Sequence, residues 1–160
     1  MSENPVDLPR YARLEIERRW LVDLAELGEL DKSRARFIRD KYLRHSHMRL
    51  RSINLGNETV YKLGKKYGHT DALSQPVTSI YLSAEEFAVF DGLEGGIVEK
   101  WRYPIAEGSL DIYQRAGKRV GIYELEFDTV AAAQNYAPPA FVREELTGKA
   151  NYRGVDFART

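Results

Sequence analysis

The chain has 160 residues, no cysteine and equal numbers of basic and acidic residues, 24 of each. Zero net charge gives no bulk attraction to nucleic acid or to an anionic membrane, and the lack of cysteine excludes disulfides and thiolate metal sites. The length predicts one domain over residues 1–160 with a flexible N-terminus at residues 1–10. We expect a cytoplasmic protein, because no stretch is typical of a signal peptide or a membrane span.

The first predicted element is a strand over residues 13–22 that carries charge on one face. Strand side chains alternate with a period of two, so Glu15, Glu17 and Arg19 share a face. Helical turns and then a strand near residues 36–43 are expected next. Taken alone, such alternation is typical of an ordinary strand with one solvated face.

The same alternation returns in later predicted strands with charges of both signs. These inward candidates are Arg49, Arg51, Lys62, Lys100, Arg102, Asp111, Glu124 and Glu126. Residues 64–74, which include Lys65 and Lys66, are predicted to form an exposed basic loop. The recurrence of charged faces favours a charged interior over a set of unrelated solvated strands.

Two helices complete the predicted elements. Ser83 and Glu86 form a capping box at the start of the first, and Thr129 can cap a second helix over residues 130–137. Hairpin-length connections outnumber helical crossovers, so the fold class is predicted to be α+β with a mainly antiparallel sheet. Four aromatic residues on or beside the strands are expected to pack in the core or shell rather than to stack on bases: Trp20, Trp101, Tyr123 and Phe127.

A closed or strongly curled sheet would gather the charged faces around a polar lumen. Two carboxylates about 4 Å apart repel by roughly 4 kcal/mol at an effective dielectric of about 20, so clustered acids need cations between them. Internal ion pairs alone gain little over an apolar core. A ligand explains the arrangement better, with acids holding a divalent cation and bases holding a polyanion such as a nucleotide or polyphosphate.

The ordered motifs resemble those of the CYTH superfamily, the triphosphate tunnel metalloenzymes that include class IV adenylyl cyclases and thiamine triphosphatases. Residues 15–19 resemble the N-terminal Glu-x-Glu-x-Lys signature of that family. Further similar segments follow in the family's order: Arg49-Leu50-Arg51, Tyr61-Lys62-Leu63-Gly64-Lys65-Lys66, Lys100-Trp101-Arg102, Leu110-Asp111-Ile112-Tyr113, Glu124-Leu125-Glu126 and Glu144-Glu145-Leu146-Thr147. The resemblance extends over residues 11–159.

The resemblance implies an eight-stranded antiparallel closed β tunnel with helices packed outside, and an enzyme that uses Mg²⁺ or Mn²⁺ to hydrolyse the terminal phosphoanhydride bond of a triphosphate. The implied metal ligands are Glu15, Glu17, Asp111, Glu124 and Glu126. The implied substrate-binding residues are Arg49, Arg51, Lys62, Lys100 and Arg102. The implied catalytic residues are Glu15, Glu17 and Arg19, with Glu15 or Glu17 acting on the attacking water.

Two positions depart from the family pattern and keep alternatives open. Arg19 stands where the family has lysine and cannot act as a base, and Gly64 stands where threonine is expected. A non-catalytic polyphosphate- or nucleotide-binding module of the same fold is therefore one alternative, and a class IV-type adenylyl cyclase is another. Glu145 is a minor candidate site residue. The expected partner is a triphosphate-containing small molecule, without nucleic acid or membrane, and a homodimer is left open.

Overall fold

The computed structural model describes residues 8–158, which form nine strands, two α-helices and three short 3₁₀ helices. The strands are β1 (Arg13–Val22), β2 (Arg36–Leu43), β3 (Met48–Asn54), β4 (Thr59–Lys66), β5 (Ser74–Leu82), β6 (Gly95–Ile105), β7 (Gly108–Arg115), β8 (Lys118–Phe127) and β9 (Val142–Glu145). The α-helices are α1 (Ala84–Asp91) and α2 (Val130–Asn135), and the 3₁₀ helices are Leu24–Glu26, Lys32–Arg34 and Gly154–Phe157. Residues 1–7 of the N-terminus predicted to be flexible lie outside the described residues.

Eight strands close into an antiparallel barrel in the order β5-β4-β3-β2-β6-β7-β8-β1. Residues 13–16 of β1 pair with residues 74–77 of β5, which closes the sheet on itself. The ninth strand, β9, pairs with the far end of β1 and lies outside the closed ring. The predicted eight-stranded closed β tunnel with helices outside is therefore confirmed.

Local sequence signals account for the turns and helix ends. Ala116 and Gly117 form the two-residue β7–β8 hairpin loop, both with positive φ, as a type I′ turn requires. Ser83 caps α1 through the predicted capping box. The second helix ends at Asn135 rather than at residue 137, because the Pro138-Pro139 pair disfavours helical conformation in the residues before it.

One predicted loop is shorter than expected. Residues 64–74 were expected to form an exposed basic loop, but β4 continues to Lys66 and pairs with β5 through Lys66 and Val77. Lys66 thereby keeps the alternation begun at Lys62 and faces inward, whereas Lys65 faces outward and is exposed. The loop prediction was wrong for residues 64–66, which belong to β4, because Gly64 was interpreted as the end of the strand although its backbone continues the ladder.

Apolar side chains cover much of the outside of the barrel. Trp20 and Tyr123 stack at 5.6 Å between ring centroids next to α2, and Leu50 is fully buried against α1 with Leu43 and Leu63. Outward-facing apolar residues thus supply a large part of the hydrophobic core, which leaves most of the inward face for other groups. No helix within residues 8–158 has the length and apolar character needed to span a membrane.

The segment after β9 closes one end of the barrel. Phe157 stacks on Tyr113 with ring centroids 4.2 Å apart, and both belong to a buried cluster with Val98, Ile122 and Leu146. This apolar cluster separates one end of the interior from solvent. The charged inward residues therefore occupy the remainder of the lumen and its opposite mouth.

Candidate functional site

Strand register brings the charged residues onto the inner face of the barrel. Directly opposed residues in antiparallel strands point to the same side of the sheet, so a residue that faces the lumen has a cross-strand partner that also faces the lumen. The register opposes Arg51 to both Asp40 and Lys62, Arg102 to Asp111, and Glu17 to Glu126. Residues from distant parts of the chain thus line one lumen.

One buried ion pair joins Asp40 on β2 and Arg51 on β3. Arg51 donates from Nε and Nη2 to the two Asp40 oxygens, both at 2.7 Å, and Arg49 Nε lies 3.9 Å from the same carboxylate. Burial alone would raise the pKa of Asp40, but the Arg51 guanidinium outweighs burial and holds this pKa well below its usual range. Asp40 is therefore ionised and fixes the direction of the Arg51 fork.

A second network centres on Asp111, which has no solvent exposure. Lys100 Nζ donates to Asp111 Oδ2 at 2.7 Å and to the Tyr113 hydroxyl at 3.0 Å, while Arg102 binds both Asp111 oxygens at 2.6 and 2.7 Å. Burial would raise the pKa of Asp111, but Lys100 and Arg102 lower it. Both oxygens of this carboxylate are thus occupied by the protein's own cations.

Glu124 and Glu15 are also neutralised from within the chain. Arg19 Nε donates to Glu124 Oε1 at 3.0 Å, and Arg102 Nη2 donates to Glu124 Oε2 at 3.2 Å. Lys66 Nζ donates to Glu15 Oε1 at 2.9 Å. Burial opposes ionisation of Glu15, but Lys66 outweighs it and lowers the Glu15 pKa, so this carboxylate is charged at neutral pH.

Glu17 differs from these carboxylates. Among the described residues no donor lies within hydrogen-bonding distance of it, and the nearest cation, Arg19 Nε, is 3.7 Å away. Its side chain is only 23% exposed, and burial, followed by the charge of Glu124, raises the Glu17 pKa to about 8. Glu17 is therefore uncompensated: it has no hydrogen-bonded cation, and it holds its proton at neutral pH because its ionisation is unfavourable.

Its cross-strand partner Glu126 is similarly undercompensated. The nearest basic atom in residues 8–158 is Arg13 Nη2 at 3.8 Å, and the Glu126 side chain is 57% exposed toward the mouth. Among the lumen acids that the structure describes, the two without a hydrogen-bonded cation are therefore neighbours on β1 and β8.

Lys62 is the corresponding uncompensated base on β4. No carboxylate oxygen of the described chain lies within 4 Å of its ammonium group, which instead lies 5.3 Å from the Tyr81 ring centroid. Burial, together with the nearby charges of Arg51 and Arg49, lowers the Lys62 pKa. A group in this positive field would gain from an anion in the lumen.

The structure brings most predicted site residues together in the lumen, but only some of them are free to bind a ligand. Asp111 and Glu124 are engaged by internal bases, as are Arg51 and Arg102 by internal acids, whereas Glu17, Glu126, Lys62 and Arg49 retain free binding capacity. Glu145 lies away from the lumen, where Arg18 binds both of its oxygens at 2.7 and 2.9 Å on the outer side of β1. Its minor candidacy is not supported by this position.

Sequence reasoning missed several lumen residues, among them Arg36, Asp40, Lys66 and Tyr113. Asp40 lies between Arg39 and Lys41, and three consecutive charged residues do not show which of them faces inward in β2. Arg36 opposes Arg102 and shares its inward face. The alternation Lys62, Gly64, Lys66 was the signal that could have identified Lys66.

The donor chemistry fits a hard divalent cation, although the chain alone does not assemble a complete site. Within residues 8–158 no three acidic or imidazole side chains lie close enough together to hold a metal ion. Mg²⁺ is commonly bound by one or two carboxylates together with substrate phosphates. Glu17 and Glu126, uncompensated and directly opposed, supply such a pair, and a cation beside Glu17 would relieve its unfavourable ionisation.

Comparison with solved structures supports this description of the fold. The structure of the inorganic triphosphatase NE1496 superposes with a TM-score of 0.55 and 28% sequence identity, covering 91% of this chain and 95% of that one. The chain has the CYTH fold. A candidate adenylate cyclase from Bacillus halodurans, bh2851, gives a TM-score of 0.53 at 18% identity over 78% of this chain and 86% of its own.

A further structural neighbour is the PH1819 protein from Pyrococcus horikoshii OT3, with a TM-score of 0.52 at 18% identity over 75% of this chain and 82% of that chain. At this identity both it and the Bacillus protein establish similarity of fold only. No protein-family model and no curated protein sequence matches the chain. The resemblance to the CYTH superfamily therefore rests on the closed barrel, the order of its motifs and these structural neighbours.

Proposed function

We propose that this protein hydrolyses the terminal phosphoanhydride bond of a triphosphate with the help of Mg²⁺ or Mn²⁺. The observation that carries the proposal is the division of uncompensated groups in the lumen. Acids without a hydrogen-bonded cation lie on β1 and β8, and bases without a hydrogen-bonded carboxylate lie on β3 and β4. The 28% identical neighbour described as an inorganic triphosphatase supports the same reaction class.

In this proposal, Lys62 and Arg49 bind phosphate oxygens directly. Arg51 and Arg102 use Nε and Nη2 to hold carboxylates, so each offers its remaining Nη1 group to the phosphates. Because these arginines are fixed by buried acids, little side-chain entropy is lost when the substrate binds. The basic wall would stabilise negative charge as it spreads over the transferred phosphoryl group.

On the acidic wall, Glu17 and Glu126 would hold the divalent cation. A divalent cation supplies Lewis acidity and neutralises phosphate charge when it is bound. Glu15 follows the same face as Glu17 and is held ionised by Lys66, so it can accept a hydrogen bond from the attacking water and orient it. Orientation is the main demand of a loose phosphoryl-transfer transition state, and a strong base is not required.

Binding without turnover is the second candidate. Arg19 occupies the position of the family lysine and is committed to Glu124 at 3.0 Å, which reduces the acidic set available to a cation. Asp111 and Glu124 as metal ligands, and Arg19 as a catalytic residue, stay predictions. The homodimer and the cytoplasmic location also stay predictions.

Phosphate release from tripolyphosphate and from ATP, with Mg²⁺ or Mn²⁺, tests the proposal. We expect turnover by the wild-type protein and a loss of at least about 100-fold in Glu17→Gln, because a single group that stabilises the transition state typically contributes this much. Glu94→Gln is the matched control, since Glu94 pairs with Arg44 on the exposed surface. Binding of either compound without phosphate release would favour the binding module, and neither binding nor release would refute both candidates.

A further inference from the structure

One strand of the lumen wall carries no charge. Register places four residues of β5 on the inner face: Gln75, Val77, Ser79 and Tyr81. Gln75 and Val77 lie opposite Glu15 and Arg13 of β1. Ser79 and Tyr81 lie opposite Gly64 and Lys62 of β4. Each of the other seven barrel strands contributes at least one acidic or basic side chain to the lumen. A strip of neutral wall therefore separates the uncompensated acid of β1, Glu17, from the uncompensated base of β4, Lys62.

Tyr81 gives this neutral strip an exposed aromatic ring at the mouth of the barrel. Its side chain belongs to the inward set, yet the residue is 75% exposed, whereas Tyr113 and Tyr123 are almost completely buried. The Lys62 ammonium group lies 5.3 Å from the Tyr81 ring centroid, which places the ring beside the lumen. An exposed aromatic ring next to a lumen cation can contact a planar ligand group through its free surface.

Lys62 connects this ring to the phosphate-binding wall. It has no carboxylate within 4 Å in the described part of the chain, and its ammonium group lies in the field of Arg51 and Arg49. A phosphate bound by Lys62 would hold its substituent near the mouth, where Tyr81 is the available aromatic surface. Bare triphosphate has no group that could use this surface.

We propose that Tyr81 is a specificity-determining residue that stacks on the aromatic ring of a substrate, and that the preferred substrates are triphosphates carrying such a ring, for example a nucleobase. This inference rests on the proposed function, because it assigns the phosphate chain of the same ligand to Lys62 and the charged lumen. Stacking of a base on an aromatic side chain tolerates different bases, so recognition of the ring as a class is expected rather than selection of one base.

Calorimetric titration with two non-hydrolysable ligands in Mg²⁺ tests the inference. The ligands are the β,γ-imido analogue of ATP and diimidotriphosphate, which share a resistant phosphate chain and differ in the nucleoside. For Tyr81→Ala we expect affinity for the ATP analogue to fall about fivefold or more, while affinity for diimidotriphosphate stays within about twofold. Tyr81→Phe should keep the wild-type affinity for both, because it keeps the ring.

Tyr67→Ala is the matched control. Tyr67 also lies against a lysine, with Lys65 Nζ 4.8 Å from its ring centroid, but on the outer face of β4 and β5. It should change neither affinity. If wild type binds both ligands and Tyr81→Ala weakens both equally or neither, the stacking role is wrong while the triphosphate site stands. If wild type binds neither ligand, the proposed function and this inference fail together.

Discussion

The clearest quantitative consequence of the lumen electrostatics concerns Glu17. Its pKa is about 8 in the folded protein against 4.5 in the unfolded chain, mainly because of burial and then because of the charge of Glu124. Between these two values only the folded protein holds the proton, so the folded state binds more protons than the unfolded state. The free energy of unfolding therefore falls as pH rises from about 5 to about 8.

The size of this effect follows from the difference between the two pKa values. At about 1.36 kcal/mol for each pH unit, a rise from 4.5 to about 8 corresponds to about 5 kcal/mol. The 23% exposure of the side chain lets solvent screen part of this cost, so we expect about 2–4 kcal/mol. Replacing Glu17 by Gln removes the ionisation, and Glu17→Gln should be more stable than wild type by this amount above about pH 8.

Guanidinium unfolding of both proteins in a metal chelator, from about pH 5 to about pH 9, measures the difference directly. Other titrating groups are common to the two proteins, so the change in their stability difference isolates Glu17. Mg²⁺ added at about pH 9 should restore much of the stability lost by wild type and little in the variant. A stability difference that stays constant within about 0.5 kcal/mol across the pH range would show that Glu17 ionises normally and would refute the reasoning.

Three further substitutions separate binding from folding. Lys62→Met should weaken tripolyphosphate binding by about 10–100-fold in calorimetry without lowering the melting temperature, because it removes a charge-assisted contact to phosphate; the outward-facing Lys65→Met should leave binding unchanged, and equal losses would contradict the assignment. Asp40→Asn should lower the free energy of unfolding by about 3–5 kcal/mol, since its arginine partner stays buried without a countercharge; the exposed Glu94→Gln should change it by less than about 1 kcal/mol. Phe157→Ala should cost about 3–5 kcal/mol in denaturant unfolding because a stacked, buried ring is lost from the closed end of the barrel, and a change below about 1 kcal/mol would mean that this end is not packed as described.

The barrel could be predicted from the sequence, because the alternation of charged and apolar residues and the order of the motifs can both be read directly along the chain. Glu15, Glu17 and Arg19 share an inward face as predicted, and the capping box at Ser83 forms. The length of β4 was not accessible, because a glycine in a strand carries no side-chain information about where pairing stops. Lys66 was misplaced for this reason.

The sequence could not predict which charged side chains of the lumen pair with each other. Nothing local distinguishes Glu17 from Glu124, since both belong to a Glu-x-Glu or similar alternating segment. Only the packed barrel shows that Arg19 and Arg102 reach Glu124 while the nearest cation stays 3.7 Å from Glu17. Charge compensation depends on side-chain reach across strands that are distant in sequence, and the pattern of one strand does not encode it.

The contrast between compensated and uncompensated charges is itself an argument for function. A lumen built only for folding would gain by pairing each buried acid with a base or by replacing both with apolar groups. Here the chain pairs Asp40 and Asp111 fully yet leaves Glu17 on one wall and Lys62 on another without close partners. Ionising both groups is unfavourable in the free protein, and a ligand that is cationic at one end and anionic at the other would offset this cost. A metal-bound triphosphate has that distribution of charge.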